Sequence, residues 1–578
     1  MSDSSENLLS QWLGKSAAPA DAGLERADRT QPLKASYAQQ GMWLADVIAA
    51  ETDRSSVVQH VWRIRGGLNT AALRLAFDAL ASRHEAWRTG FEQRDEELVQ
   101  VVSASSGFDF AVEALASEAQ VRDRIIKVYR TPMNLATGQV ARARVFSLSQ
   151  VEHVLLVTVH HIAFDGWSLD ILQRELQALY SAALLMPAGA SLEDLVDASG
   201  LPELPIQYPD YAMWQRIAVE SGECDGALAY WSEYLAEAPA LLALPYDKPV
   251  PAARSSAGDR FTLTIPAALN AAILQRANEL STTAFGLQLA AFLLTMAKWS
   301  GQQDIVLGIT LAGRKEPEVE GLLGFFVNVL PIRCKMRVDD VVSDVVARLR
   351  ADLLRMHDHD SVPLEYLLQH LGAARSAAHK PLVQVTVASH QNFARSPLQL
   401  DALDVRYLPP INLDVQEDLT LFFTASGDDV EAHFAFSTDL FERETILARA
   451  HEFMTTLERV CREPALTVGD LGIAMLRNDS SPRPEASESP VAAGDDIQAE
   501  IEEAMLEIWR EVLPKAPLDR DANFFALGGT SLSALRACNR ASSIFGVRVP
   551  VRKLFESSTI RGLSATVREL LRCAEATS

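Results

Sequence analysis

"VTVHHIAFDGWSLDIL", residues 157–172, decides how the chain is read. Its first half is an apolar run ending on two histidines, the pattern of a buried strand. Its second half carries an aspartate, a glycine and then apolar residues at helical spacing. A strand that stops, turns and restarts as a helix is the joint of a layered α/β protein. Histidines are scarce, 12 in 578 residues, so a pair at such a joint needs a reason. Adjacent strand residues point to opposite faces, so at most one of His160 and His161 faces a given cleft. From the residues alone three readings stand. They are a hydrogen-bonded core pair, a metal site with Asp165 as a further ligand, and one histidine moving a proton while the other holds the turn. Neutral imidazole suits the last role, since its ordinary pKa lets it take a proton from an amine or hydroxyl. Asp165 or Ser168 starts the helix that follows.

Strands and helices alternate on both sides of this stretch, over about residues 31–475. "SVVQHVWRIRG" and "HVLLVTVHH" read as strands, and "NTAALRLAFDALASRHEAW" and "DILQRELQALYSAALL" as helices. A second run repeats the alternation, with "RFTLTIP" as strand, "ALNAAILQRANEL" and "TAFGLQLAAFLLTMAKWSG" as helices, and "DIVLGITLAG" as strand. Two similar α/β halves follow, with the extended "LPELPIQYPDYAMWQ" near their join. A chain of 578 residues exceeds one hydrophobic core, so several domains are expected.

"NDSSPRPEASESPVAAGDD", residues 478–496, has nothing to bury and reads as a linker. Beyond it the sequence is helical: "IQAEIEEAMLEIWREVL", then "DANFFALGGTSLSALRA", then "VPVRKLFESSTIRGLSATVRELLR". Gly528 and Gly529 permit a tight turn, and Thr530-Ser531 fall where a helix starts. A hydroxyl there is an ordinary cap, yet the same position faces free N–H groups and the positive end of the helix dipole, which suits a phosphodiester.

The net charge of −23 argues against a general nucleic-acid or anionic-membrane binder. The five cysteines are far apart and form neither a zinc motif nor a disulfide framework. Residues 1–30 lack a signal-peptide pattern and read as a frayed terminus, with a docking element as the second reading. No apolar run approaches the roughly 18 residues of a membrane span. The expected compartment is the cytoplasm.

Several segments together resemble a known family. "HHIAFDG" resembles the HHxxxDG motif of the condensation domains of non-ribosomal peptide synthetases. "SYAQQGMWL" (36–44), "RHEAWRTGF" (83–91), "YPDYAMWQ" (208–215), "GRKEPEVEGLLGFFVNVLPIR" (313–333) and "HDSVPLE" (359–365) are similar to further motifs of that family, in its order. "DANFFALGGTSL" resembles the attachment site of peptidyl carrier proteins. The resemblance implies two chloramphenicol-acetyltransferase-like α/β lobes in a V-shaped pseudo-dimer, plus a C-terminal all-α four-helix carrier bundle. Its expected boundaries are an N-lobe at 31–205, a C-lobe at 206–475, a linker at 476–496 and the carrier at 497–573.

The resemblance also implies roles. His161 would face a tunnel between the lobes, as general base or as a group orienting the nucleophile. His160 would be structural, and Asp165 would hold the loop through an arginine ion pair. Gly166 would give the turn and close approach to a substrate arm, and Asn328 would support the lobe crossing. Arg83, His84 and Arg88 would tie a helix end to the strand beyond. Ser531 would carry 4′-phosphopantetheine covalently, and no metal is implied. The implied reaction is amide formation between an acyl, aminoacyl or peptidyl thioester on a partner carrier and an amine on a phosphopantetheine arm. Ester formation, release onto a free amine, or a non-catalytic recruitment scaffold are the other readings. "DGWSL", with the carrier placed afterwards, favours condensation over epimerisation. The implied partners are a donor carrier acting in trans, a separate adenylation enzyme, a phosphopantetheinyl transferase, and a downstream synthetase or thioesterase; neither nucleic acid nor membrane is among them.

Overall fold

The computed structural model describes residues 24–577 except 49–52, 95–96, 105–106, 188, 252–253, 373–379, 390–396, 412–413, 474–495, 514–516, 526, 528 and 530. The docking reading of the N-terminus and the linker reading therefore fall almost wholly outside the described residues.

Up to residue 220 the chain forms strands β1 (Leu33–Lys34), β2 (Val57–Arg65), β3 (Thr89–Arg94), β4 (Glu97–Val102), β5 (Asp109–Ala114), β6 (Ala141–Ser147) and β7 (Glu152–His160). The helices that matter here are α1 (Tyr37–Ile48), α2 (Thr70–Arg83), α3 (Gly166–Leu185) and α4 (Tyr208–Glu220). The second half supplies β8 (Gly258–Ile265), β9 (Asp304–Leu311), β10 (Asn328–Lys335), β11 (Val385–Ser389), β12 (Asp404–Leu408), β13 (Leu419–Ser426) and β14 (Asp429–Ser437). Its main helices are α5 (Ala267–Glu279), α6 (Ala284–Ser300) and α7 (Arg443–Arg462). Four helices end the chain: α8 (Asp496–Val512), α9 (Ser531–Phe545), α10 (Val551–Glu556) and α11 (Ile560–Thr577).

Each half builds a sheet covered by helices. The first has strand order β12-β2-β7-β6-β5, antiparallel except for the β5–β6 pair. The second has order β10-β9-β11-β13-β14-β8, with parallel pairs β9–β11 and β11–β13. A small antiparallel sheet, β1-β4-β3, sits beside the first. Strand β7 is central because both its faces are apolar. Leu155, Val157 and Val159 join the core under α2 and α3, while Val154 and Leu156 join a smaller cluster with Ile125 and Phe146. Local chemistry sets the helix ends. The Asn69 side chain caps α2, Thr283 caps α6, and Gly301 ends α6 in the left-handed region at φ 72°. Helix α6 is buried nearly all round, and its Phe292 meets Phe453 of α7 edge-on at 5.9 Å.

Two features depart from the pattern-based reading. "YPDYAMWQ" is helical from Tyr208, because Pro209 suits a first turn and Asp210 Oδ2 accepts the Gln207 N–H at 2.7 Å. Strand β12, from the second half, pairs with β2 and completes the first sheet. The join is therefore an exchange of elements rather than a single crossover. The C-terminal helices enclose their own core around Trp509, Phe524, Leu554 and Leu563, and Trp43 and Ile48 of α1 pack against it. Among the described residues no single helix is long and apolar enough to cross a membrane.

Candidate active site

The end of β7 separates the two histidines. The His160 N–H donates to Val140 O at 2.7 Å, and its side chain is buried at 2% exposure. Its Nδ1 accepts from the Ile162 N–H at 3.2 Å, so the ring proton sits on Nε2, directed at Asp46 Oδ1 at 3.3 Å. Both nitrogens are used. His161 continues into a single 3₁₀ turn, its N–H donating to Ser56 O at 2.7 Å. Its Nδ1 lies 2.9 Å from Phe164 O, which can only accept, so Nδ1 carries the proton and Nε2 keeps its lone pair. Burial lowers the His161 pKa below the ordinary imidazole value; the hydrogen bond to Phe164 opposes this, and His160 adds to the lowering. Imidazole, not imidazolium, is the form held here.

Asp165 caps α3 and receives five hydrogen bonds. Ser168 N–H donates at 2.8 Å, Ser168 Oγ–H at 2.7 Å, Phe326 N–H at 3.2 Å, and Arg314 Nη2 reaches both carboxylate oxygens at 3.1 Å. The expected arginine is thus Arg314, whose Nη1 also donates to Val319 O and Leu322 O at 2.6 and 2.7 Å. Its guanidinium lies over the Phe326 ring at 4.0 Å. Just before it, Gly313 has φ +67°, and a Cβ there would fall 1.9 Å from Phe326 O, so only glycine closes this turn. Together these contacts pin the loop carrying His161 to the 313–326 segment of the second half.

Gly166 does not make a left-handed turn: it is the exposed first residue of α3 and is absent from the described glycines with positive φ. The turn comes from the 3₁₀ residues and the Asp165 cap. As a first-turn N–H, that of Gly166 has no acceptor within the helix. Asn328 also differs from expectation. Its Nδ2 donates to Val362 O at 2.9 Å and Asp360 O at 3.3 Å, and its Oδ1 accepts the Leu364 N–H at 3.0 Å. It straps the start of β10 to the 360–364 loop, both in the second half, rather than bridging the halves. Of the three residues expected to tie a helix end to the strand beyond, only Arg88 does so, donating to Ser103 O at 2.6 Å. Arg83 and His84 instead reach Glu175 on α3, at 3.1 and 2.7 Å. Burial alone would raise the Glu175 pKa, but His84 and Arg83 hold it below the ordinary value. The candidate modification serine, Ser531, is the first residue of α9. Two residues before it, a Cβ on Gly529 would fall 2.3 Å from the Phe524 ring, so Gly529 packs directly against the bundle core. A helix N-terminus is a fitting seat for a phosphodiester.

A cavity of about 640 Å³ lies between the halves. Its walls come from α1, α4, the 311–329 segment, the 360–368 segment and the 415–417 segment, with Arg552 and Phe555 of α10 at the carrier side. His161 is not itself in the wall. Phe325 is, and its ring centroid lies 5.8 Å from that of His161. Among the described residues no group of three or more His, Cys, Asp or Glu is arranged to hold a metal.

Residues 29–479 match the condensation-domain family model, and residues 503–567 match that of the phosphopantetheine attachment site. The chain belongs to the condensation-domain family. Its second domain belongs with the carriers to which 4′-phosphopantetheine is attached covalently on a serine. This chain is 35% identical to one polypeptide of the linear gramicidin synthase of Brevibacillus parabrevis over 474 residues, 79% of this chain and 9% of that protein. Another polypeptide of the same synthase is 32% identical over 473 residues, 80% of this chain and 6% of that protein. The chain therefore spans less than a tenth of these relatives. Among solved structures, the X-domain in its complex with OxyB from teicoplanin biosynthesis aligns at TM-score 0.71 and 26% identity, covering 79% of this chain and 99% of that one.

Arg314, Ser168, Glu175 and Tyr208 were not singled out from sequence as site residues. Arg314 and Tyr208 stand inside recognised motifs, so a signal existed. Glu175 had only the weak one of an acid within an apolar helix.

Proposed function

We propose that this chain forms an amide between a donor acyl group, delivered as a thioester on a separate carrier, and an amine held on its own phosphopantetheine at Ser531. That makes it an acyltransferase. The observation that carries the reading is the cavity: it runs from Phe325, beside His161, to Arg552 and Phe555 of the carrier. A single space thus joins the domain that bears the acceptor to the residue whose ring lies against His161. When attached, phosphopantetheine supplies a terminal thiol on a flexible arm, long enough to present the acceptor away from the carrier surface.

The chain's own residues supply the rest. The acceptor nitrogen attacks the donor carbonyl, a C–N bond forms, and the C–S bond breaks with its electron pair leaving on sulfur. His161 Nε2 takes the proton shed by the nitrogen and returns it to the departing thiolate. Phe164 O holds the ring by its Nδ1–H, as the orienting partner in a His-based site does. The first turn of α3, beginning at Gly166, offers N–H dipoles on the same loop for the negative charge developing on the carbonyl oxygen. His160 and Asp165 keep that loop in register, and Asn328 fixes the cavity wall opposite.

The lobes are taken as 31–205 and 206–475, the linker as 476–496 and the carrier as 497–573. A donor carrier, a separate adenylation enzyme and a phosphopantetheinyl transferase are the partners this chemistry needs, and the cytoplasm is the compartment that holds them. Recruitment without catalysis is the second reading, suggested by the X-domain, which has been solved in complex with OxyB. The free Nε2 of His161 favours catalysis. The test mixes the phosphopantetheinylated full chain, loaded with an amine, with donor-loaded carriers and follows intact mass. Wild type gains the donor mass on its carrier. His161→Ala is expected to remain fully phosphopantetheinylated yet gain none; transfer at the wild-type rate by this variant overturns the assignment. A hydroxy-acid acceptor in the same assay separates ester from amide formation.

A further inference from the structure

Phe325 stands where the cavity ends and His161 begins, and nothing in the reaction above uses it. The residues on either side of it are locked. Gly324 N–H donates to Ser168 Oγ at 3.2 Å, and Gly324 O accepts from that hydroxyl at 3.1 Å. A Cβ on Gly324 would fall 2.1 Å from the Tyr208 ring, so the backbone has no slack there. Phe325 O accepts from Tyr208 Oη at 2.5 Å, and that phenol in turn meets Ser36 Oγ at 2.9 Å. Phe326 N–H is held by Asp165 Oδ2 at 3.2 Å, and the Phe326 side chain is buried at 2% beneath Arg314 and against Tyr208. The two phenylalanines therefore differ in kind. Phe326 is core; Phe325 is only partly buried, lines the cavity and faces the His161 ring.

We infer that the Phe325 side chain is the barrier between the carrier-side cavity and His161, and that its size sets which acceptor amines reach the reacting centre. This rests on the proposed amide-forming reaction. With the backbone fixed by Ser168, Tyr208 and Asp165, rotation of the side chain is the motion available to open the path. An acceptor entering from the α10 side must displace the ring or pass beside it. The ring also covers part of the His161 side chain, which is itself only partly buried. The residue therefore discriminates by volume rather than by charge: a small acceptor passes with little rearrangement, whereas a bulky one needs the ring turned fully aside. Differences of this kind in an apolar site are worth roughly 10–200-fold per group in specificity.

The test compares Phe325→Ala, Phe325→Leu and Phe325→Trp in the phosphopantetheinylated full chain. Acceptor amines of graded side-chain size are loaded on the carrier and a fixed donor is supplied. Phe325→Ala is expected to raise transfer of bulky acceptors by roughly 10-fold relative to wild type while leaving the smallest within about twofold. Phe325→Leu should fall between, and Phe325→Trp should slow all acceptors, the bulkiest most. In Phe325→Ala the acid limb of the pH profile should move up toward the ordinary imidazole value, because burial is what lowers the His161 pKa and losing the ring lessens it. Equal losses for every acceptor size in Phe325→Ala overturn the barrier while leaving the reaction standing. Failure of wild type to transfer any acceptor instead counts against the reaction itself. For that case a second measurement remains: the rate at which a small imidazole-modifying reagent labels His161, read by peptide mass spectrometry. The barrier requires faster labelling in Phe325→Ala and slower labelling in Phe325→Trp, and unchanged rates in both overturn it.

Discussion

Replacing Asp165 by asparagine is the most direct probe of how the active-site loop is held. Asp165 is 1% exposed and Arg314 0%, so neither charge has water to fall back on. Each carboxylate oxygen accepts from groups that can only donate or are already committed: Ser168 N–H and Arg314 on Oδ1, Phe326 N–H and Arg314 on Oδ2. Whichever oxygen becomes an NH₂ then sets donor against donor, and the guanidinium is left without its counter-charge. Breaking a buried pair from one side costs about 3–5 kcal/mol. Domains of ordinary stability hold about 5–15 kcal/mol in total. Asp165→Asn should therefore lower the urea midpoint of the condensation domain substantially and abolish transfer, because the His161 loop loses its tie to residues 313–326. Arg314→Met should do the same. The double variant Asp165→Leu/Arg314→Met removes both charges, and it should regain more than half of the lost stability while transfer stays absent. Tryptophan fluorescence across a urea series, read beside the mass-shift assay, measures both. An Asp165→Asn chain within about 1 kcal/mol of wild type, with wild-type transfer, would show that the pair does not hold the loop.

The acid limb of the transfer rate should have its midpoint below pH 6.5, because burial lowers the His161 pKa and the imidazole stays neutral until the pH drops below that value; a midpoint at or above pH 7 contradicts the environment described. His60, pushed down to about 3 by burial, stays neutral in the fold, whereas the unfolded chain protonates it near pH 6.5. Its contribution to stability is therefore complete above that pH and is lost as the pH falls from 6.5 toward 3. Between pH 7 and pH 5 this amounts to about 2 kcal/mol, which His60→Phe should remove from the measured pH dependence of urea unfolding; an unaltered dependence sinks it. Gly313→Ala, forced to hold φ +67° with its Cβ against Phe326 O, should destabilise by about 1–3 kcal/mol in thermal unfolding and slow transfer, and a neutral result would mean the turn can relax.

Much of the fold was legible because the periodicities are strong. Alternation and apolar runs marked β2, β7, β8 and β9, and apolar spacing marked α2 and α6, whose ends the structure sets with Asn69, Thr283 and Gly301. What pattern could not carry was which sheet a strand joins. "DVRYL" in β12 has the same look whether it pairs with its own half or, as it does, with β2 across the join. Strand pairing is decided by shape and hydrogen-bond register over long separations, and no local window contains that information.

The site divided along the same line. The motifs identified His161, Asp165 and the modification serine as residues to watch, and the HH pair alone left three readings open. The partners came only from tertiary structure, and α3 shows why. Ser168, Gln173 and Glu175 lie on this helix behind its Asp165 cap, and all four residues are buried. They face three different segments: Asp165 and Ser168 hold residues 314–326, Gln173 accepts from Leu398 N–H, and Glu175 receives Arg83 and His84. Spacing reveals that a helix has an apolar face and a polar one; it cannot reveal that the second half of the chain covers part of the polar face. Four buried polar residues, each bonded to a distant element, make α3 the member on which both halves agree. A disturbance in either half reaches the His161 loop through this helix, so the ring that Phe164 O holds locally is placed as well by the assembly of the two lobes.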